Sequence, residues 1–399
     1  MLLKSELEKV YHAQQQLVKK KELNTERSIL KNYTHTQKHI EVITGIRRCG
    51  KSTLMRQMMR KHPDFAYFNF EDSRVFGFEV SDFTKLDEIM PPNASAYFFD
   101  EIQNVLYWET YIRQLHDRGA KVFITGSNAS LLSKELGTRL TGRHLRHELY
   151  PFSYSEYINH KKTKRNADSF SKYLYEGGFP EYLSSGNEEV LQTLFKDILL
   201  RDIAVRHGIR NTKVLIDIAL FLLSNTGKEQ TYNNIRKNFG LGSTNSASDY
   251  LHWMEDCYLL FYVPRFSWKT RNIAANARKV YAIDNGLVQA NSISHSDDIG
   301  RLLENAVFLH LRQQAGQLYY FRENKECDFV WFQNKMCKMA LQVCSEINSD
   351  NIQRETNGLL EAMNHFNLSE GTIVTLSQND TLKTSGKTIR LIPVYEFMK

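Results

Sequence analysis

Gly45-Ile-Arg-Arg-Cys-Gly-Lys-Ser52 decides the reading of this chain, because it fits G-x-x-x-x-G-K-[ST], the pattern of a phosphate-binding P-loop. Its flanks are the ones the motif requires. His39-Ile-Glu-Val-Ile-Thr44 before it is rich in β-branched residues and reads as a strand. Lys51-Ser-Thr-Leu-Met-Arg-Gln-Met-Met-Arg60 after it has helical spacing, with Leu54, Met55, Met58 and Met59 on one side.

The residue types follow from phosphate chemistry. Gly45 and Gly50 let the backbone curl, so that the N–H groups along Ile46, Arg47, Arg48 and Cys49 can turn toward an anion. The N-terminal dipole of the following helix adds to the same field. Lys51 is expected to reach the β- and γ-phosphates of ATP as a point charge, and Ser52 to offer its hydroxyl to Mg2+. Thr53 follows in the helix, with a minor part beside the nucleotide. The plain alternative is a glycine turn with a solvated lysine, and the strand and helix on either side argue against it.

Working outward, 399 residues exceed what one core serves, which predicts two to four domains. Hydrophobic content of 42% and charged content of 24% describe an ordinary globular chain, and the net charge of +7 permits an acidic or nucleic-acid partner without demanding one. The five cysteines form no C-x-x-C pair, which argues against a zinc site or a disulfide framework and for a reducing, cytoplasmic setting. No apolar run approaches the ~18 residues that span a bilayer, so no membrane partner is expected. The first 30 residues read as an appended amphipathic helical arm, carrying Leu3, Leu7, Val10 and Leu17.

From His39 onward strand and helix patterns alternate, the signature of a parallel α/β sheet. Candidate strands lie at 41–44, 65–70, 96–99, 122–125 and 145–150. The third closes in Tyr97-Phe-Phe-Asp-Glu101, an apolar run ended by two acids. Placed after a P-loop, Asp100 is the expected Mg2+ partner through water, and Glu101 the group that orients and polarises an attacking water. The fourth closes in Thr125-Gly-Ser-Asn128, where Ser127 or Asn128 could contact a γ-phosphate or cap a helix. Asn128 is the better candidate, because its amide both donates and accepts. Arg139 and Arg143, in Thr138-Arg-Leu-Thr-Gly-Arg143, suit γ-phosphate recognition within the chain or across a subunit boundary, which would imply an oligomer. Of the two, Arg143 is the candidate.

These motifs, with Asn69-Phe-Glu-Asp72, Leu149-Tyr-Pro-Phe-Ser-Tyr154, Glu176-Gly-Gly-Phe-Pro-Glu-Tyr182, Leu200-Arg-Asp-Ile203 and Gly300-Arg-Leu-Leu-Glu-Asn305, resemble the bacterial and archaeal AAA-superfamily ATPases. Members of that group carry a C-terminal domain of unknown function with a nuclease-like core. The resemblance covers nearly the whole chain beyond the arm. It implies an α/β fold, a P-loop NTPase with an AAA/ASCE-type parallel sheet and a C-terminal α/β restriction-endonuclease-like domain. Between them the residues themselves read as a helical lid, rich in Leu, Tyr and Ile, and then a winged helix, from a helix–turn–helix pattern over 231–255 and β patterns at 261–266 and 279–283. The expected bounds are 1–30 for the arm, 31–152 for the ATPase core, 153–226 for the lid, 227–290 for the winged helix and 298–399 for the nuclease-like domain. Within the lid, Gly177-Gly178 reads as a helix-to-helix turn in preference to a hinge.

Two downstream regions bear on partners. The second helix of the expected winged helix, 245–256, is net acidic, which counts against direct reading of DNA, while Lys269, Arg271, Arg278 and Lys279 keep the wing available to phosphates. Nuclease cores of the implied type use a helix Glu, a strand Asp and an acid-x-Lys to hold Mg2+ and a water. Glu304 and Asp328 match, whereas Gln342-Val-Cys344 stands where the acid and lysine belong. Nuclease activity is therefore not expected. The sequence points to an ATP- and Mg2+-dependent ATPase that couples the nucleotide to movement of its later domains. The rivals are a slow switch that binds DNA or protein and, less favoured, an ATP-dependent nuclease.

Overall fold

Five short strands make the first sheet of the computed structural model, which describes residues 2–20, 25–31, 39–127, 140–292 and 298–399. They are β1 (Ile40–Thr44), β2 (Phe65–Asn69), β3 (Ala96–Asp100), β4 (Val122–Gly126) and β5 (His144–Glu148), all parallel, in the order β2-β3-β4-β1-β5. Helices cover both faces of such a sheet, so its inner strands read as unbroken apolar runs. Every residue of β1, β3 and β4 is buried. The helices here are α1 (Lys4–Lys20), α2 (Lys51–Met59), α3 (Asp82–Ile89) and α4 (Trp108–Asp117). Because all five strands run the same way, Thr44, Asp100 and Gly126 end at one edge, and that edge receives the site.

The N-terminal segment differs from an appended arm. Leu7, Val10 and Tyr11 of α1 are buried in the same cluster as Ile40, Phe68 and Phe99. Gln14 fixes the register: its side chain accepts from Asn69 N at 2.9 Å and donates to Asn69 O at 3.1 Å. The apolar stripe on this helix is a core face.

Contacts gather the chain into two compact units: Met1–Pro151 with Asp256–Tyr258, and Phe152–Glu255 with Leu259–Lys399. Apart from Asp256–Tyr258, residues 152–399 thus form the second unit. It begins with α5 (Tyr154–Lys161), α6 (Ala167–Glu176), α7 (Pro180–Ser185), α8 (Glu189–Asp197), a π-helical stretch at Ile198–Val205 and α9 (Thr212–Ser224). Gly177-Gly178 is a turn fixed by packing. A Cβ on Gly178 would fall 2.2 Å from Phe152 O, and Gly177 takes the left-handed φ of 69° that ends α6.

Next come α10 (Tyr232–Asn238) and α11 (Thr244–Asp256), with a small antiparallel sheet ordered β6-β8-β7 from β6 (Glu229–Gln230), β7 (Leu260–Pro264) and β8 (Arg278–Ala282). The short helices α12 (Thr270–Ala275) and α13 (Asn285–Asn291) flank β8. The last segment holds α14 (Ile299–Arg312), β9 (Gln317–Arg322), β10 (Glu326–Gln333), β11 (Met336–Val343), α15 (Ile352–His365), β12 (Glu370–Thr375), β13 (Asp380–Thr384), β14 (Lys387–Pro393) and α16 (Val394–Phe397). Its six strands pair in the order β13-β14-β12-β11-β10-β9. Helix, three strands, helix and strand follow in turn, and the β13–β14 hairpin adds two further strands.

Candidate nucleotide site

The loop between β1 and α2 is shaped by groups packed behind it. A Cβ on Gly45 would lie 2.1 Å from Leu149 O, so only glycine fits beside the chain leaving β5. Arg48 and Gly50 take left-handed φ values of 61° and 102°, which curl the loop into the first turn of α2. Cys49 is buried, and its thiol faces Leu149 O at 3.4 Å. Burial raises that thiol's pKa, so Cys49 acts as a packed neutral group beneath the loop.

Arg27 completes the support, and no sequence motif announces it. Its guanidinium is buried and donates to Cys49 O at 2.7 Å and to Tyr150 O at 2.6 Å. One side chain thereby joins the P-loop backbone to the segment after β5. Gln57 on α2 holds Arg27 in turn, accepting from its backbone N at 3.2 Å and donating to Thr25 O at 2.7 Å.

Lys51 and the β3 carboxylates meet at the sheet edge. Lys51 Nζ lies 3.3 Å from Glu101 Oε1 and donates to Gly45 O and Ile46 O at 3.1 and 3.2 Å. Burial alone would weaken the ammonium as a cation, yet the negative charge of Glu101 and Asp100 raises its pKa, so it stays charged. Burial likewise pushes the Glu101 carboxyl up, and Lys51 and Arg47 overcome this and hold it below its ordinary range. Asp100 behaves oppositely: burial, then the Glu101 charge, raise its pKa. Its Oδ1 accepts from Thr125 Oγ1 at 2.5 Å and its Oδ2 from Tyr67 OH at 3.1 Å, and the nearby Thr125 and Ser52 hydroxyls oppose part of that rise.

Glu101 itself sits in left-handed backbone conformation, φ 49° and ψ 47°, fixed by its N–H donating to Thr125 Oγ1 at 2.8 Å. Both carboxylate oxygens are engaged, Oε1 by Lys51 and Oε2 by Gln103 Nε2 at 2.5 Å. Gln103 was not anticipated, since a glutamine two residues past an Asp-Glu pair carries no motif signal. Arg47 reaches Glu71 at 2.8 Å, at the loop's outer side. Ser52 is exposed and Thr53 half-buried, where Thr53 Oγ1 accepts from Arg56 at 2.9 Å.

The remaining expectations fall unevenly. Ser127 is buried at the end of β4, on the same edge as Asp100. Asn128 and Arg139 lie outside the described residues. Arg143 is not brought to this edge of its own chain. It precedes β5, its carbonyl accepts from Ile40 N at 2.9 Å at the start of β1, and its guanidinium lies 3.6 Å from Asp117. The parallel register of β1 and β5 therefore puts the whole strand length between Arg143 and Gly45.

A second ionic cluster occupies the other unit. Glu304 on α14 and Asp328 on β10 do converge, and the ammonium missing from Gln342-Val-Cys344 comes from a different strand, as Lys279 on β8. Lys279 is thus not a wing cation open to phosphates, because its side chain is 3% exposed. Gln342 Oε1 accepts from Asp328 N at 3.2 Å and its Nε2 donates to Glu355 Oε2 at 2.9 Å. Among the described residues, no group of three or more His, Cys, Asp or Glu side chains is arranged to hold a metal ion, and no helix is long and apolar enough to cross a membrane.

Residues 37–158 match the family model of an AAA domain, and residues 167–297 match that of a domain of unknown function (DUF8612). The chain is similar to an uncharacterised protein of Methanocaldococcus jannaschii, 34% identical over 392 residues that cover 90% of this chain and 88% of the relative. An uncharacterised protein of Haemophilus influenzae is 30% identical over 351 residues, covering 82% of this chain and 87% of its own. Among solved structures, the Aeropyrum pernix ORC1 protein in complex with DNA aligns over 66% of this chain and 88% of its own, at 13% identity and a TM-score of 0.28. That overlap is too slight to carry a conclusion about fold or partner.

Proposed function

The chain belongs to the archaeal and bacterial family of these relatives, with an AAA domain followed by a domain of unknown function, and from that premise we propose that it binds ATP with Mg2+ and hydrolyses the γ-phosphate. One observation carries the reading: a charged lysine from the P-loop, the β3 carboxylates and the Ser52 hydroxyl converge at one sheet edge. The loop backbone and Lys51 would hold the phosphates. Ser52 and Asp100 fit Mg2+, since a hydroxyl and a buried carboxylate are hard oxygen donors and a divalent charge would offset the burial that raises the Asp100 pKa. When bound, Mg2+ would neutralise charge on the phosphate oxygens. Glu101, held ionised, would orient and polarise the attacking water.

The test is phosphate release by wild type, Lys51→Ala and Glu101→Gln. Lys51→Ala should lose nucleotide binding and turnover together. Glu101→Gln should keep ATP and lose turnover by about a hundredfold or more, the scale on which a general base contributes. Equal rates for all three proteins would remove the proposal.

A second reading, a slow nucleotide-gated switch, is favoured by the engagement of both Glu101 oxygens. Turnover then requires Gln103 to release the carboxylate, and the bound state becomes the signal read by the second unit. The partner would be DNA or protein. DNA binding predicts affinity that falls steeply with salt, and salt-insensitive binding would point to protein.

A further inference from the structure

We infer that the Lys279 ammonium is a built-in cation that occupies the centre of a carboxylate site in the second unit and closes it to divalent metal. Three carboxylate oxygens surround Lys279 Nζ: Glu326 Oε1 at 2.8 Å, Asp328 Oδ1 at 2.9 Å and Glu304 Oε1 at 3.0 Å. The ammonium donates hydrogen bonds to Glu304 and Asp328 and pairs by charge with Glu326. The lysine arrives from β8, while its partners stand on α14 and β10. Its side chain is 3% exposed, and those of Asp328 and Glu304 are 9% and 13% exposed.

The charges show why this is more than a surface ion pair. One ammonium faces three carboxyls. The next cation, Arg322, touches only the outer oxygen of Glu326, at 3.8 Å, and also serves Glu229 at 3.1 Å. Burial, and then the Asp328 charge, raise the Glu304 pKa to about 7. Neutral donors take part of the load. Tyr281 OH donates to Glu304 Oε1 at 2.6 Å, and Val343 N donates to Asp328 Oδ2 at 3.0 Å. Carboxylate oxygens are the donors a divalent cation takes, although as placed around the lysine these three are not arranged to hold one. With lysine at the centre, each inward oxygen is already spent. Without it, the buried carboxylates lack a counter-charge and a divalent ion becomes their best partner.

The experiment measures Mn2+ binding by electron paramagnetic resonance on the nucleotide-free full chain, with Asp100→Asn in every sample so that the P-loop contributes no metal. With Lys279 intact, no Mn2+ site that depends on Asp328 is expected. Lys279→Ala should gain one Mn2+ per chain, bound at least about tenfold more tightly than by the lysine-containing protein. Adding Glu304→Gln should abolish the gain. If Lys279→Ala folds poorly alone, the same inference predicts that Mn2+ restores its far-ultraviolet circular dichroism. A Mn2+ site present with Lys279 intact and lost in Asp328→Asn overturns the inference. So does a Lys279→Ala protein that gains no site, or one that Mn2+ cannot refold.

Discussion

Arg27 and Gln103 show what single residues do at the nucleotide site without touching its motif. The Arg27 guanidinium supplies donors to two carbonyls, at Cys49 and Tyr150, that no strand ladder reaches. Replacing it with methionine leaves both without that charged donor, a loss of about 2–4 kcal/mol in the first unit by urea unfolding. Nucleotide affinity should fall about tenfold as the loop loosens, with Arg27→Lys recovering part of it. Wild-type affinity in Arg27→Met would refute this positioning role. Gln103 acts on the chemistry instead, through its 2.5 Å hydrogen bond to Glu101. If that bond withholds the carboxylate, Gln103→Leu should raise kcat several-fold and leave KM within about twofold. A fall in kcat would mean that Gln103 orients Glu101 for catalysis. That Lys51, Ser52, Asp100 and Glu101 lie together was legible, because a P-loop spacing and an apolar strand ended by two acids both point to one sheet edge. Arg27 and Gln103 were not, because their partners are set by the tertiary path of the chain. Lys279 was misassigned for the same reason: beside Arg278 it reads as a solvated pair, and only the fold shows which of the two turns inward.

At the scale of elements, the five parallel strands were readable to within two residues: β1, β3 and β4 are buried along their whole length and therefore mostly apolar, and the largest offset falls at β5, which is half-exposed and polar. The β13–β14 hairpin escaped notice because β13 (Asp-Thr-Leu-Lys-Thr) lies at a sheet edge, half-exposed and polar, and its turn rests on Ser385 and Gly386 at positive φ. Asp284 illustrates what joins elements inside the second unit. Its Oδ1 accepts from Leu287 N at 2.9 Å, capping α13, and its Oδ2 accepts from Gly178 N at 2.6 Å, in the turn after α6. Burial outweighs these hydrogen bonds and lifts its pKa from 3.8 to about 7. A carboxyl raised on folding binds its proton more tightly in the native state. Its contribution to stability is complete below 3.8 and is lost as pH rises through about 7. Glu304, also raised to about 7, adds in the same direction. Asp284→Asn should therefore flatten, without abolishing, the decline in second-unit stability across that interval, and should lower stability overall because its amide accepts one N–H where the carboxylate accepted two. An unchanged slope in chemical denaturation would show that Asp284 does not titrate there.

For the whole molecule, composition predicted two to four domains, and contacts gather the chain into two compact units. Each unit has its own apolar cluster, around Ile40, Phe68 and Phe99 in the first and around Val330, Leu359 and Ile373 in the second. Two cores of this kind predict two unfolding transitions in calorimetry, so a single unfolding free energy should not describe the chain. A non-hydrolysable ATP analogue with Mg2+, at a hundred times its dissociation constant, should stabilise the unit that binds it by about 2.7 kcal/mol. In Lys51→Ala that shift should vanish. The second transition then separates the two halves of the proposed function. If the bound nucleotide is communicated to the second unit, that transition must also move in wild type and stay still in Lys51→Ala, because a ligand shifts an equilibrium only by its differential affinity for the states involved. Movement of the first transition alone would leave a nucleotide-binding ATPase and remove the coupling.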